Sequence, residues 1–165
     1  MHHADLDFDV TTALRFHPLE MALSMVIKLG AVAILGPAAL AVLIFEVLLN
    51  GTAMFNHGNV SLPPGLDRWL RLVVVTPDMH RVHHSIEAAE YNSNFGFNLP
   101  WWDRLFGSYR AQPALGHDEM QIGLPNYGGS VCANLIWMLV LPFWSLDHEP
   151  PRTAPRPQGK YHDEG

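Results

Sequence analysis

A chain of 165 residues that is 48% hydrophobic and only 16% charged carries much less charge than the roughly 25% of ordinary soluble domains, which points towards a membrane. Its formal net charge of -6 and the lack of any basic run argue against a nucleic-acid partner. The single cysteine, Cys132, excludes an internal disulfide and paired-cysteine metal sites, so any metal chemistry must rest on the ten histidines and the carboxylates.

Residues 1–18 are polar and read as an N-terminal loop ending at Pro18, without the basic-then-apolar order of a secretory signal. Residues 19–55 are nearly all apolar, interrupted near the middle by Gly36-Pro37. Each flank of about 18 residues makes roughly 27 Å of helix, close to the ~30 Å of a hydrocarbon core. The pattern predicts a hairpin of two membrane helices, about 19–35 and 37–55, with Pro37 in the first turn of the second. Lys28 and Glu46 fall near mid-helix, where charge is expensive in lipid unless it faces protein or water. Two buried helices in a soluble core are the alternative.

Residues 56–126 read as a cytosolic helical lobe rich in histidine. It holds a "LPPG" loop, an amphipathic helix in "LDRWLRLVVVT" whose Arg68, Trp69 and Arg71 suit a membrane interface, and an aromatic stretch rich in Asn and Gly. Residues 127–146 form an apolar C-terminal segment, short for a crossing and equally suited to the interface. Residues 147–165, rich in proline and charge, read as a disordered tail. Arg15, Arg68, Arg71, Arg81, Arg104 and Arg110 flank or follow the hairpin while its tip is uncharged, so both of its ends are expected on the cytoplasmic face. The fold class is therefore all-α: an integral membrane helical hairpin plus a cytosolic lobe.

Within "PDMHRVHHS", His80, His83 and His84 sit at i, i+3 and i+4, so a helix would turn all three towards a common space. Neutral imidazole is a good ligand for iron, zinc, copper or nickel, and adjacent His83 and His84 diverge enough to serve two ions. His57 follows the second membrane helix, His2 and His3 precede the first, and His17 stands where the first begins. For His57 and His17 a hydrogen-bonded structural role is the competing reading. His117, His148 and His162 read as surface residues. Asp103, Asn92, Asn94 and Asn98 are candidate acceptors behind the ligands, or loop and capping residues.

"TPDMHRVHHS" followed by "YNSNFGFNLPWWDRLFGSYR" resembles the C-terminal half of the fatty acid hydroxylase / sterol desaturase superfamily. Its H-x-x-H-H, N-x-N-[FY]-G and W-D-x-[LI]-F-G-[ST]-Y motifs fall in register across roughly residues 50–112. The resemblance implies a membrane-bound non-haem di-iron oxidoreductase of lipid metabolism. Such an enzyme hydroxylates or desaturates an apolar lipid with O₂, taking electrons from a ferredoxin or a cytochrome b5-like donor. It implies His2, His3, His57, His80, His83 and His84 as metal ligands, leaves His17 open, and places Asn94 and Asp103 behind the ligands. The cofactors would be two iron ions, with zinc as an alternative occupant. "MHHADLDFDV" resembles the sequence that starts inside the family's earlier H-x-x-H-H, so a chain truncated at its N-terminus is expected. A non-catalytic, metal-binding remnant is the rival reading. A haem protein using His57 and one of His80, His83 or His84 as axial ligands is a third.

Overall fold

Two apolar runs of equal length, separated by a glycine and a proline, have one simple solution: antiparallel helices with few polar groups to place. The computed structural model describes residues 2–5, 7–124, 134–140 and 143. In it α1 (Pro18–Leu35) and α2 (Ala39–Asn56) are both long and apolar enough to cross a membrane. Gly36 closes α1 in the left-handed conformation (φ 59°), which a side chain would resist. Pro37 lies in the link and α2 starts at Ala39, so the predicted proline-led first turn is displaced by two residues.

These helices are apolar on all sides and exposed on all sides. None of the first membrane-length window and 6% of the second lies buried, which disfavours the pair of soluble core helices. Lys28 and Glu46 answer each other across the hairpin, Lys28 Nζ donating to both carboxylate oxygens at 2.8 and 3.0 Å. That pairing meets the condition under which mid-helix charges are tolerated in lipid.

The other described residues fold mainly against the open end of the hairpin. Two 3-10 turns, His2–Ala4 and Val10–Leu14, precede α1. After α2 come α3 (Pro64–Leu70), α4 (Pro77–His83), α5 (Ala88–Tyr91), α6 (Trp101–Phe106) and α7 (Leu135–Val140). The helix expected through "LDRWLRLVVVT" stops at Leu70. Three successive valines, β-branched, precede Thr76-Pro77 there, and Val75 N–H bonds Asn98 C=O at 3.0 Å instead. Among the described residues there is no strand beyond an isolated bridge between Ser85 and Ile122. The apolar segment expected over 127–146 is described only at 134–140 and 143, and the tail expected over 147–165 lies outside the described residues.

The interior is polar. Met79, Val75 and Val82 are fully buried, but so are Thr12, Asn56, Thr76, Asn94, Ser85 and Asp103. Large hydrophobes such as Ile34, Leu35 and Phe106 face outward. That inversion is what is expected of a protein whose outer surface meets hydrocarbon.

Candidate metal centre

Each histidine of the cluster reaches the centre by a different local device. α4 begins with Pro77 at its first turn and buries Met79, His80, Arg81 and Val82. His84 forms its C-cap, so the i, i+3, i+4 face survives to the end of the helix. The turn is pinned from outside: Asn94 Nδ2 donates to Met79 C=O at 2.9 Å, and Gly123 N–H donates to His84 C=O at 3.1 Å. His57 is the C-cap of α2. His2 and His3 are carried by the first 3-10 turn. The following loop is tied by Asp5, whose Oδ2 accepts from Thr12 Oγ1 at 3.0 Å and from Arg15 at 2.6 Å.

These devices bring six imidazoles into one continuous group. One ligand nitrogen from each of His2, His57, His80 and His84 lies within 4.8 Å of the others. His3 and His83 adjoin that set, their ring centroids 4.7 Å apart, and His3 stacks on His84 at 4.6 Å. His57, His80 and His84 are almost wholly buried; His2, His3 and His83 are partly so.

The tautomers follow from the partners. His2 Nδ1 lies 2.8 Å from Thr12 C=O, His57 Nδ1 lies 2.6 Å from Ala53 C=O, and His83 Nδ1 lies 2.8 Å from Ser93 C=O. A carbonyl only accepts, so each Nδ1 carries the proton and each Nε2 a lone pair. His2 Nε2 and His57 Nε2 are nevertheless 3.0 Å apart. Two unprotonated nitrogens cannot share a hydrogen bond, and their lone pairs repel. His80 Nε2 is also 3.0 Å from His57 Nε2, while buried His80 Nδ1 and His84 Nε2 have no hydrogen-bond partner.

Burial lowers every pKa in the group. It brings His2 to about 3, with the neighbouring His57 adding repulsion, and His3 to about 4. His57, His80, His83 and His84 are pushed down by the same cause. The cluster is neutral at pH 7 and rich in lone pairs: neutral His80 can donate from Nε2 to His57, but no proton lies between His2 Nε2 and His57 Nε2. A cation is what such a set fits, and the carbonyl-anchored Nδ1–H groups orient the rings for Nε2 ligation.

The other expected site residues stand elsewhere. His17 caps α1: its Nδ1 accepts from Leu19 N–H at 3.2 Å and its Nε2 lies 3.0 Å from Leu139 C=O, so both nitrogens are engaged away from the cluster. Asn94 and Asp103 touch none of the ligand rings with their polar atoms. Asn94 (φ 49°) clamps Met79 C=O and both backbone groups of Arg110. Asp103 accepts from Phe95 N–H at 2.8 Å, Gly96 N–H at 2.9 Å and Ser108 Oγ at 2.7 Å. Asn94 acts on the cluster through the backbone, and Asp103 does so as well while its charge also favours protonation of His83. Gly96 is required there, since a Cβ would lie 2.8 Å from Leu99 O.

Several contributors were not anticipated. Phe8 is buried against the rings of His57, His80 and His84, with the Arg81 guanidinium on it at 5.3 Å. Phe16 stacks on His2 at 4.6 Å. His117, read from sequence as a surface residue, is half-buried with both ring nitrogens inside and its pKa lowered by burial.

The chain is 28% identical over 143 residues to the ornithine lipid hydroxylase OlsE of Rhizobium tropici, covering 87% of this chain and 41% of that protein. It is 27% identical over 116 residues to the alkylglycerol monooxygenase of Homo sapiens and 31% identical over 108 residues to that of Xenopus tropicalis. It spans 24% and 23% of the length of those two. No solved structure matches. The family model for fatty acid hydroxylase matches residues 1–108, which carry all six clustered histidines and both apolar helices, and the chain belongs to that family.

Proposed function

We propose that the chain works as a membrane-bound non-haem di-iron oxidase of lipid metabolism, hydroxylating a C–H bond of an apolar lipid at the cytoplasmic face. The observation that supports this most directly is the His2–His57 pair, two neutral imidazoles whose unprotonated Nε2 atoms face each other at 3.0 Å. His2, His57, His80 and His84 would hold one iron, and His3 and His83 would contribute to a second beside it. When bound, the irons supply O₂ reduction and C–H oxidation, with two electrons from a ferredoxin or cytochrome b5-like donor and two protons balancing the water released.

The chain's own residues do the rest. The carbonyls of Thr12, Ala53 and Ser93 hold the protons on Nδ1 so that each Nε2 stays available. Phe8, Phe16 and Phe95 pack apolar rings against the imidazoles and keep water from them. Hydroxylation is preferred to desaturation because the relatives are named a hydroxylase and monooxygenases.

The test is expression of the chain in membranes, metal counting, and mass spectrometry of lipids after incubation with ¹⁸O₂ and a reductase system. Two irons per chain and ¹⁸O in a lipid hydroxyl, both lost in His57→Ala, are expected. Bound metal with no labelled lipid would favour the non-catalytic remnant. A Soret band with no non-haem iron would overturn the assignment.

A further inference from the structure

Beside the cluster lies a cavity of about 650 Å³, within the roughly 300–1,000 Å³ that small-ligand sites occupy. Phe45 and Leu49 of α2 form one side and Phe97, Leu99, Trp102 and Phe106 the other. Most of the acceptors on its border are already engaged, leaving the Asn98 amide and the Trp102 indole N–H as its polar donors. The Asp103 carboxylate accepts three hydrogen bonds, and Asn98 Oδ1 accepts from Thr52 Oγ1 at 2.9 Å. The lining is mainly apolar, so an occupant gains chiefly apolar contact, which suits a hydrocarbon chain better than a headgroup. Phe45 belongs to the membrane-length helix and is 51% exposed, so the cavity continues the lipid-facing surface.

At its other end stands Phe95, which also borders the cavity. The Phe95 ring meets the His83 ring edge-on, centroids 5.5 Å apart. Its backbone is held on both sides, by Asp103 at its own N–H and by the buried, hydrogen-bonded Asn94 before it. Phe95, held at its backbone and 56% exposed, thus stands between an apolar cavity and a histidine of the cluster.

We propose that this cavity takes up the alkyl chain of a membrane lipid, and that Phe95 sets how far the chain advances towards His83 and so which carbon is oxidised. The choice of carbon rests on the proposed oxidase function; the uptake of the chain does not.

Photolabelling separates the two. The full chain is placed in phosphatidylcholine vesicles carrying a trace of a palmitoyl lipid with a diazirine at the chain end, irradiated, digested and mapped. Adducts are expected on cavity residues, Trp102 and Phe106 among them. Leu49→Trp, a change on a lipid-facing helix that leaves the lobe intact, should cut them about tenfold by filling the space of about two methylenes. In Phe95→Ala, adducts should move onto His83, His3 or Ser93. Adducts confined to outward residues of α1 such as Leu23 and Ile34, unchanged by Leu49→Trp, would overturn the site. With ¹⁸O₂ turnover, Phe95→Ala should shift the hydroxyl by several carbons. A hydroxyl that stays in place while the label moves would overturn the role of Phe95. Cavity labelling in a protein that yields no hydroxylated lipid would uphold chain uptake and count against the oxidase.

Discussion

Replacing Asp103 with Asn should destabilise the lobe by about 3 kcal/mol. The side chain is 1% exposed, and its carboxylate accepts from two backbone N–H groups and one hydroxyl, all within 2.9 Å. Asparagine keeps the shape but turns one oxygen into a donor, which then faces the N–H of Gly96 or of Phe95. One bond is lost and the other two lose their charge assistance, where each bond to a charged acceptor contributes roughly 1.5–3 kcal/mol. Relaxation is blocked, since a Cβ at Gly96 would already lie 2.9 Å from Asp103 Oδ2 and closer still to Leu99 O. For a chain of this size the loss corresponds to a melting point lower by about 6–12 °C. Thermal unfolding followed by tryptophan fluorescence in nanodiscs reads it directly. Ser108→Ala, which removes one neutral donor, should cost about 1 kcal/mol and serves as the comparison. If Asp103→Asn melts no lower than Ser108→Ala, the view that the 95–96 loop hangs on this carboxylate is refuted.

Chelator-treated protein should lose stability as the pH falls from 6.5 towards 4. Burial holds His2 at about 3 and His3 at about 4 in the fold, so the unfolded chain takes up protons first and stability rises with pH across that window. Each ring kept neutral contributes up to about 1.4 kcal/mol per pH unit, less where it is part-exposed; a melting point that does not vary between about pH 7 and pH 4.5 would contradict a buried neutral cluster. Ferrous or zinc ion at about 100 times its dissociation constant should add about 2.7 kcal/mol, or about 5–10 °C. His57→Ala should abolish that shift, and an undiminished shift in the variant would place the metal elsewhere. In the hairpin, Lys28→Met or Glu46→Gln should reduce membrane insertion, with a central unpaired charge costing roughly 2.5–3.5 kcal/mol. The exchanged pair Lys28→Glu with Glu46→Lys should restore it, and an exchange no better than the single changes would show that the contact at 2.8 Å is idle.

What could be read from the sequence was whatever depends on local spacing. His80, His83 and His84 share a helical face because i, i+3 and i+4 always do, and α4 obliges. The Lys28–Glu46 contact was legible in principle, since Lys28 stands 8 residues before Gly36 and Glu46 stands 9 after Pro37, at equal depth in an antiparallel hairpin. The approach of His2 and His3 to His84 depended on motif resemblance, because no local rule folds a polar terminus onto a helix 80 residues on. What could not be read was the layer behind the ligands. The acceptors are main-chain carbonyls of Thr12, Ala53 and Ser93, and a carbonyl leaves no mark in residue identity. Asn94 and Asp103 looked like partners for imidazole because amides and carboxylates often are. In the fold they bind the backbone of the loops that carry the rings.

Fold and chemistry are joined at one point in this chain. The lobe has few buried apolar side chains, and most of its interior polar groups find partners, as Asn94 and Asp103 do. Among the described residues the histidine nitrogens are where that matching breaks down most sharply, with Nε2 set against Nε2 and His84 Nε2 left alone. A cation among these lone pairs would relieve their repulsion, since burial, which lowers the pKa values, keeps the rings from taking up further protons. A metal ion bound there would complete the core as well as the proposed active site, and metal loss should loosen the elements it joins, the N-terminal turn, the end of α2 and α4, before it loosens the hairpin. Hydrogen exchange at His2–Asp5 and Pro77–His84, compared with and without chelator, would show that order, and uniform protection in both states would contradict it.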